Sequence, residues 1–302
     1  MRKGLKWLYS LAVAGILVFL LRTFLFSSCT IPSSGMENSL LPGDRVIINK
    51  WSYGFRTNSL GFSARWREKE VTKNDIVLFN NPKNSSLPLP KKEHFISRCI
   101  GVPGDTLWVD SLFTAQELTQ GLHPDYKQLY TFRLEQKPLL DSILSLLQIE
   151  TSSIKHNSPH QVVLSRYEYY LAQQKSDHTL ALTPIQKTRQ LYPLVIPRAG
   201  DSITITPFNQ TLLRNTLLIH ENQEVAIINN QFYLNKKPVT KVSFQKEYFW
   251  VGSNTMENIM DSRFFGFVPK DHIIGKASFI WFSKRTTPPG TIRWNRILKL
   301  VN

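Results

Sequence analysis

The sequence predicts a mainly β protein: an antiparallel β body, interrupted by an inserted α/β subdomain and carried behind one N-terminal transmembrane helix. Three observations lead there. Short β-branched and aromatic runs punctuated by Gly and Pro fill both ends of the chain. A helical apolar period replaces them in the middle. One stretch near the N-terminus is too apolar for a soluble surface.

That stretch runs from Trp7 to Phe26. As a helix rising about 1.5 Å per residue, it would just cross a hydrocarbon layer of about 30 Å. Arg22 interrupts it near one end, where a long side chain can reach the headgroups. Arg2, Lys3 and Lys6 form a cytoplasmic N-terminus of residues 1–6, and apart from Arg22 no basic residue follows before Arg45. The positive-inside rule then sends everything after about Ser27 out of the cytoplasm, giving a single-pass protein of the cytoplasmic (inner) membrane. A cleaved signal peptide, or lipoprotein processing at Ser27-Ser28-Cys29, is the alternative; Arg22 within the stretch argues for an uncleaved anchor.

The β runs are Asp44–Lys50, Asp75–Phe79, Phe95–Ile100 and Asp105–Val109, and again Asp201–Thr206, Glu224–Leu234, Glu247–Val251 and Ile273–Phe282. Asn229-Asn230 supplies a hairpin turn within the sixth of them. The β body therefore covers 29–110 and 196–302. Between them, 111–195 changes character: Leu140, Ile143, Leu144 and Leu147 follow Pro138 at i, i+3, i+4 and i+7, the face of an amphipathic helix, and Tyr167–Leu171 opens a second helix or a strand.

Lys and Arg number 37 against 22 Asp and Glu, a formal charge of +15. The excess is spread along the chain and no nucleic-acid-binding motif accompanies it, which favours anionic lipid, or plain solubility, over nucleic acid. Two cysteines, Cys29 and Cys99, make no disulfide framework. No metal-ligand or cofactor motif occurs, so no metal and no cofactor are expected.

Four motifs carry a family resemblance. Ile31-Pro-Ser-Ser-Gly-Met-Glu-Asn-Ser-Leu-Leu-Pro-Gly-Asp44 resembles the nucleophile box of signal peptidase I, Ile-Pro-Ser-x-Ser-Met-x-x-Thr-Leu-x-x-Gly-Asp. Asn74-Asp-Ile-Val-Leu-Phe79 is similar to the family's Gly-Asp-Ile-Val-Val-Phe strand. Ser97-Arg-Cys-Ile-Gly-Val-Pro-Gly-Asp105 is similar to its Lys-Arg-x-x-Gly-x-Pro-Gly-Asp box. Gly252-Ser-Asn254 and Asp261-Ser-Arg-Phe-Phe-Gly-Phe-Val-Pro269 resemble the closing signature. The boxes stand in family order behind an N-terminal anchor, and the resemblance covers 1–109 and about 196–302.

The resemblance implies a serine endopeptidase that removes targeting peptides, with a lysine as general base. For lysine to accept a proton near neutral pH, its pKa must fall well below about 10.4, which burial can achieve. Residue by residue, however, the nucleophile position is Gly35 and the general-base position is Ser97. Glycine offers no attacking atom, and a serine hydroxyl is far too weak a base. Ser253 and Thr255 stand where Asp and Arg are usual, and Ile259 stands where a small serine supports the lysine. Ser33 matches the oxyanion-stabilising serine. If the box is extended, Ser33 shares the face of Gly35 and Ser34 the opposite one. Ser34 is the nearest hydroxyl for a relocated nucleophile; His94, Lys91, Lys92 and Lys246 have no motif placing them in the site. Ile31, Pro32, Met36, Arg98, Asp261, Ser262 and Arg263 remain as groove and support, with Asp261 and Arg263 implied to be a buried ion pair.

Three functions follow as expectations. The first is a catalytically degenerate relative that still engages signal peptides or preproteins beside membrane lipid, alone or with export machinery or another signal peptidase. The second is an active endopeptidase with a moved nucleophile. The third is a membrane-anchored structural or assembly subunit.

Overall fold

The computed structural model describes residues 2–20, 25–56, 65–66, 69–83, 87–116, 126–147, 149, 160–185, 190–255, 260–286 and 290–301. Helix α1 spans Arg2–Leu20, so it takes in the basic residues expected to precede it. Its apolar side chains Trp7, Leu11, Val13, Ile16, Leu17 and Val18 are exposed. Arg22 lies outside the described residues. The expected span of 7–26 needs correction at its far end: Phe26 opens a strand, β1 (Phe26–Thr30), and pairs with Asn49. The β-favouring run through Thr30 finds a partner strand there, which a continuing helix would leave unpaired. Among the described residues no helix is long and apolar enough to cross a membrane.

The chain then lays down β2 (Asp44–Asn49), β3 (Ile76–Asn80) and β4 (His94–Gly101), leaves through a segment holding β5 (Lys127–Thr131), β6 (Gln161–Ser165) and β7 (Thr183–Pro184), and returns with β8 (Tyr248–Gly252), β9 (Val268–Pro269) and β10 (Ile273–Ser283). The main sheet has the order β1-β2-β10-β3-β4-β8-β9, all antiparallel. Because successive strand residues face opposite ways, β3 is buried on both sides. Ile76 and Leu78 meet Ile31, Met36, Leu40, Val46, Ile48 and Ile280, while Val77 and Phe79 meet Tyr53, Cys99, Phe249, Val251 and Ile273. Gly275 lets β10 approach β2 closely: a Cβ there would stand 2.5 Å from the Asn49 carbonyl oxygen.

The segment between the two halves has a core of its own. Tyr130, Val162 and Leu164 from a small sheet of order β7-β5-β6, with Phe132 just after β5, pack on Leu140, Ile143 and Leu144 of α2 (Lys137–Leu146) and Ala172 of α3 (Arg166–Lys175). Leu140, Ile143 and Leu144 are the apolar face read from the sequence. Tyr167–Leu171 is helical, held open at its start by a capping box between Ser165 and Glu168. Strands Thr106–Val109 and Tyr192–Val195 pair at the base of the segment and share the body's core through Leu107 and Leu194. The hairpin turn at Asn229-Asn230 has the positive φ angles, 51° and 60°, that a two-residue turn demands. Helix α4 (Gln210–His220) was not read from the sequence; its Leu213 and Leu217 join the same core.

Candidate functional site

After β1, Ser33 is extended (φ −129°, ψ 165°), and the chain then tightens into a single 3₁₀ turn, Ser34–Met36, that packs on the strand carrying Ser97. This turn corrects the expected alternation: Ser33 is exposed while Ser34, Gly35 and Met36 are all buried. In a 3₁₀ turn three residues complete a revolution, so neighbours i and i+2 no longer share a face. Pro32 is exposed, and Ile31 and Met36 are core residues under β2 and β3.

The turn is fixed from the closing signature. Asn254 donates its backbone N–H to the Gly35 carbonyl at 2.8 Å, with Thr255 N–H at 3.3 Å from the same oxygen. The Asn254 side-chain amide donates to the Glu37 carbonyl at 3.1 Å and to Ser39 Oγ at 2.9 Å. Arg98, next to Ser97, donates to the same Ser39 Oγ and to the Asn74 carbonyl, each at 2.8 Å. Four of the sequence motifs thus converge on one buried knot.

Ser97 is fully buried in β4, its hydroxyl within donating distance of the Met260 carbonyl at 3.1 Å and of the Ile96 carbonyl at 2.8 Å. Asp261 is also fully buried. It accepts from the Ser253 N–H at 2.7 Å and the Arg263 N–H at 3.0 Å, and pairs with the Arg263 guanidinium at 2.6 Å. Ser262 Oγ accepts the Val251 N–H at 2.9 Å, and Arg263 also donates to the Thr255 carbonyl. Ser253 and Thr255 are buried within this frame; Ile259 lies outside the described residues.

Two further buried carboxylate–cation pairs join partners that no sequence motif links. Asp44, buried, pairs with Arg296 at 2.7 Å and accepts from Ser283 Oγ. Glu37 and Lys127, each 1 % exposed, pair at 3.0 Å beside the Gly35 turn. Both pairings join residues far apart in the chain, so no local spacing could have announced them.

A second polar cluster lies off the motifs. His94 and Lys91 are exposed, whereas Lys92 is buried and its Nζ sits 3.1 Å from His272 Nε2. Asp271 Oδ1 lies 2.9 Å from His272 Nδ1, and Lys246 donates to Asp271 Oδ2 at 2.9 Å. His220, from the end of α4, stands edge to face with His272, ring centres 5.4 Å apart. Burial first, then the neighbouring His272, holds His220 down to about 3, and burial likewise depresses His272 and Lys92. Among the described residues no three His, Cys, Asp or Glu side chains are placed to hold a metal.

A family profile described as signal peptidase, peptidase S26, matches residues 4–131 and 139–282. The chain belongs to this family. Proteins named signal peptidase I are similar to it throughout: one from Buchnera aphidicola subsp. Acyrthosiphon pisum is 25% identical, covering 97% of this chain and 81% of its own length. Another from Buchnera aphidicola subsp. Baizongia pistaciae is 26% identical over 93% and 79%, and that of Haemophilus influenzae 24% identical over 92% and 69%. The match to the peptidase S26 family runs through the middle segment as well as the β body, so the α/β unit, apart from 132–138, lies inside the matched region.

Proposed function

We propose that this signal peptidase family member binds the signal peptides of exported proteins without cutting them. The observation that carries the reading is the pair of residues at the two catalytic positions, Gly35 and Ser97. Gly35 has no side-chain atom to attack with, the Ser97 hydroxyl cannot replace a neutral amine as base, and both residues are buried, the Gly35 carbonyl and the Ser97 hydroxyl each being hydrogen-bonded. Losing the nucleophile alone removes a factor of about 10⁶ from turnover in a serine protease, too much for any remaining oxyanion donor such as Ser33 to offset on the timescale of secretion. In this reading the buried Met36, Arg98, Ser262 and Asp261–Arg263 pair brace from beneath the segments that would receive an extended peptide.

The apolar stretch through α1 holds the chain at the cytoplasmic membrane, with the β body outside the cytoplasm. Exposed Phe26, Trp281, Trp294, Leu298 and Leu300 support this placement: Trp281 donates to Ser28 on β1, the strand that follows α1, and Arg45 lies over its ring at 5.7 Å.

Two assays on the purified full-length protein test the reading. Incubated with a panel of signal-peptide precursors, it should leave them uncut. A signal peptide carrying a photoactivatable crosslinker should label it in the 31–39 or 252–263 segment. Cleavage at the usual site, or labelling confined to other segments, overturns the proposal.

A further inference from the structure

Lys127 sits at a junction of three parts of the molecule. It opens β5, just after Tyr126, which belongs to the body's core, and just before Tyr130, which belongs to the core of the middle unit. Its ammonium lies 3.0 Å from Glu37 Oε2 and 3.7 Å from Glu168 Oε1, and its N–H donates to the Asn254 carbonyl at 3.0 Å. Glu168 is held in turn, because its other oxygen accepts the Ser165 N–H at 2.7 Å in the cap of α3. Asn254 passes the connection on through its own N–H to Gly35 and its side chain to Glu37. The result is a closed ring, Glu37 to Lys127 to Asn254 and back to the 35–37 turn.

The middle unit has its own apolar core, meets the body's core at Tyr126, and reaches the 34–37 turn through the Lys127 ion pair and backbone hydrogen bonds. Apolar contact between two cores is hard to undo in part, whereas a polar contact between units can open and close. A buried ion pair adds little net stability over apolar residues of similar shape, and its best-attested use is to fix one geometry among alternatives.

We propose that the middle unit is a latch on the degenerate site: the Lys127 ammonium, clamped between Glu37 and Glu168, holds the Gly35 turn and the Asn254 loop shut, and its release opens them to an extended peptide. The second half of this statement rests on the peptide-binding reading above; the first does not. Lys127 acts as a positioning residue, through Glu37 and Asn254, on a surface it does not form itself.

The test uses the full-length protein in detergent micelles and the double variant Lys127→Met/Glu37→Gln, which removes the fully buried pair and leaves Glu168, 12 % exposed, held by the Ser165 N–H. Amide hydrogen exchange at Asn254 and Thr255, both donors to the Gly35 carbonyl, should accelerate about tenfold or more, with Ile227 and Phe232 of the distant hairpin unchanged. The conservative Lys127→Arg should keep Asn254 and Thr255 protected. A fluorescent extended peptide with an Ala-x-Ala segment should bind the double variant more tightly, since the closed state no longer competes. Unchanged exchange at Asn254 and Thr255 overturns the latch. Faster exchange with no peptide binding by either protein supports the latch and overturns the peptide-binding reading instead.

Discussion

The backbone N–H of Asn254 donates to the carbonyl of Gly35 at 2.8 Å, tying the closing signature to the first motif through an atom that any residue at position 35 would present. The backbone frame around position 35 therefore does not depend on the side chain there. Gly35→Ser alone should leave precursor cleavage at background, because the neighbouring strand supplies Ser97 and no amine. Adding Ser97→Lys, with Ile259→Ser to give the amine a hydrogen-bond partner, should bring cleavage into a measurable range on a gel-based precursor assay. Activity in the unmodified protein that Ser34→Ala abolishes would show that the nucleophile had moved by one residue.

Asp261 is fully buried and satisfies three groups at once: the Ser253 N–H, the Arg263 N–H and the Arg263 guanidinium. Asp261→Ala strands a cation that is 7 % exposed. Removing one partner of a buried pair costs roughly 3–5 kcal/mol. The urea midpoint should fall accordingly, and a loss below about 1 kcal/mol would contradict the assignment of this pair as structural support.

Stability should decline on acidification through the His220 and His272 cluster. Both imidazoles are held below the ordinary histidine value, mainly by burial, so the fold favours their neutral forms. Lys92, Lys246 and Asp271 face them, with Tyr248 against His220 and Glu221 on the Tyr248 hydroxyl. The contribution is complete above the unfolded value near 6.5 and is lost as pH falls from there toward the folded value, about 3 for His220. Each histidine can contribute a slope of up to about 1.4 kcal/mol per pH unit. Urea midpoints measured from pH 7.5 to 4.5 should fall, and His220→Phe should flatten the dependence; an equal slope in that variant removes His220 from the account.

Cys29 and Cys99 are free thiols. They sit on β1 and β4, four strand spacings apart in the sheet, or about 19 Å, far beyond the Cα separation of about 7 Å that a disulfide allows. Burial and the nearby Asp75 and Asp105 carboxylates push the Cys99 thiol up, while burial raises Cys29 less completely on its edge strand. Iodoacetamide should label Cys29 slowly in the native protein and Cys99 only in denaturant, as read by peptide mass mapping. Labelling of Cys99 under native conditions would mean that β4 opens locally.

Much of this protein follows from local sequence alone. Short β-branched and aromatic runs placed five of the seven strands of the main sheet, the Leu140–Leu144 face placed α2, Asn229-Asn230 placed a hairpin, and four ordered motifs pointed to the family. These are short-range signals, written within a few residues of the feature that they determine. Tertiary structure decided the rest. Whether Ser33 or Ser34 follows Gly35 inward depended on a 3₁₀ turn that Asn254 secures from more than two hundred residues away. Phe26 joined a strand because β2 offered it a partner. The Lys127–Glu37, Asp44–Arg296 and Lys92–His272 pairings appeared only once distant segments met, since a charge along the chain carries no mark of the partner that burial will give it.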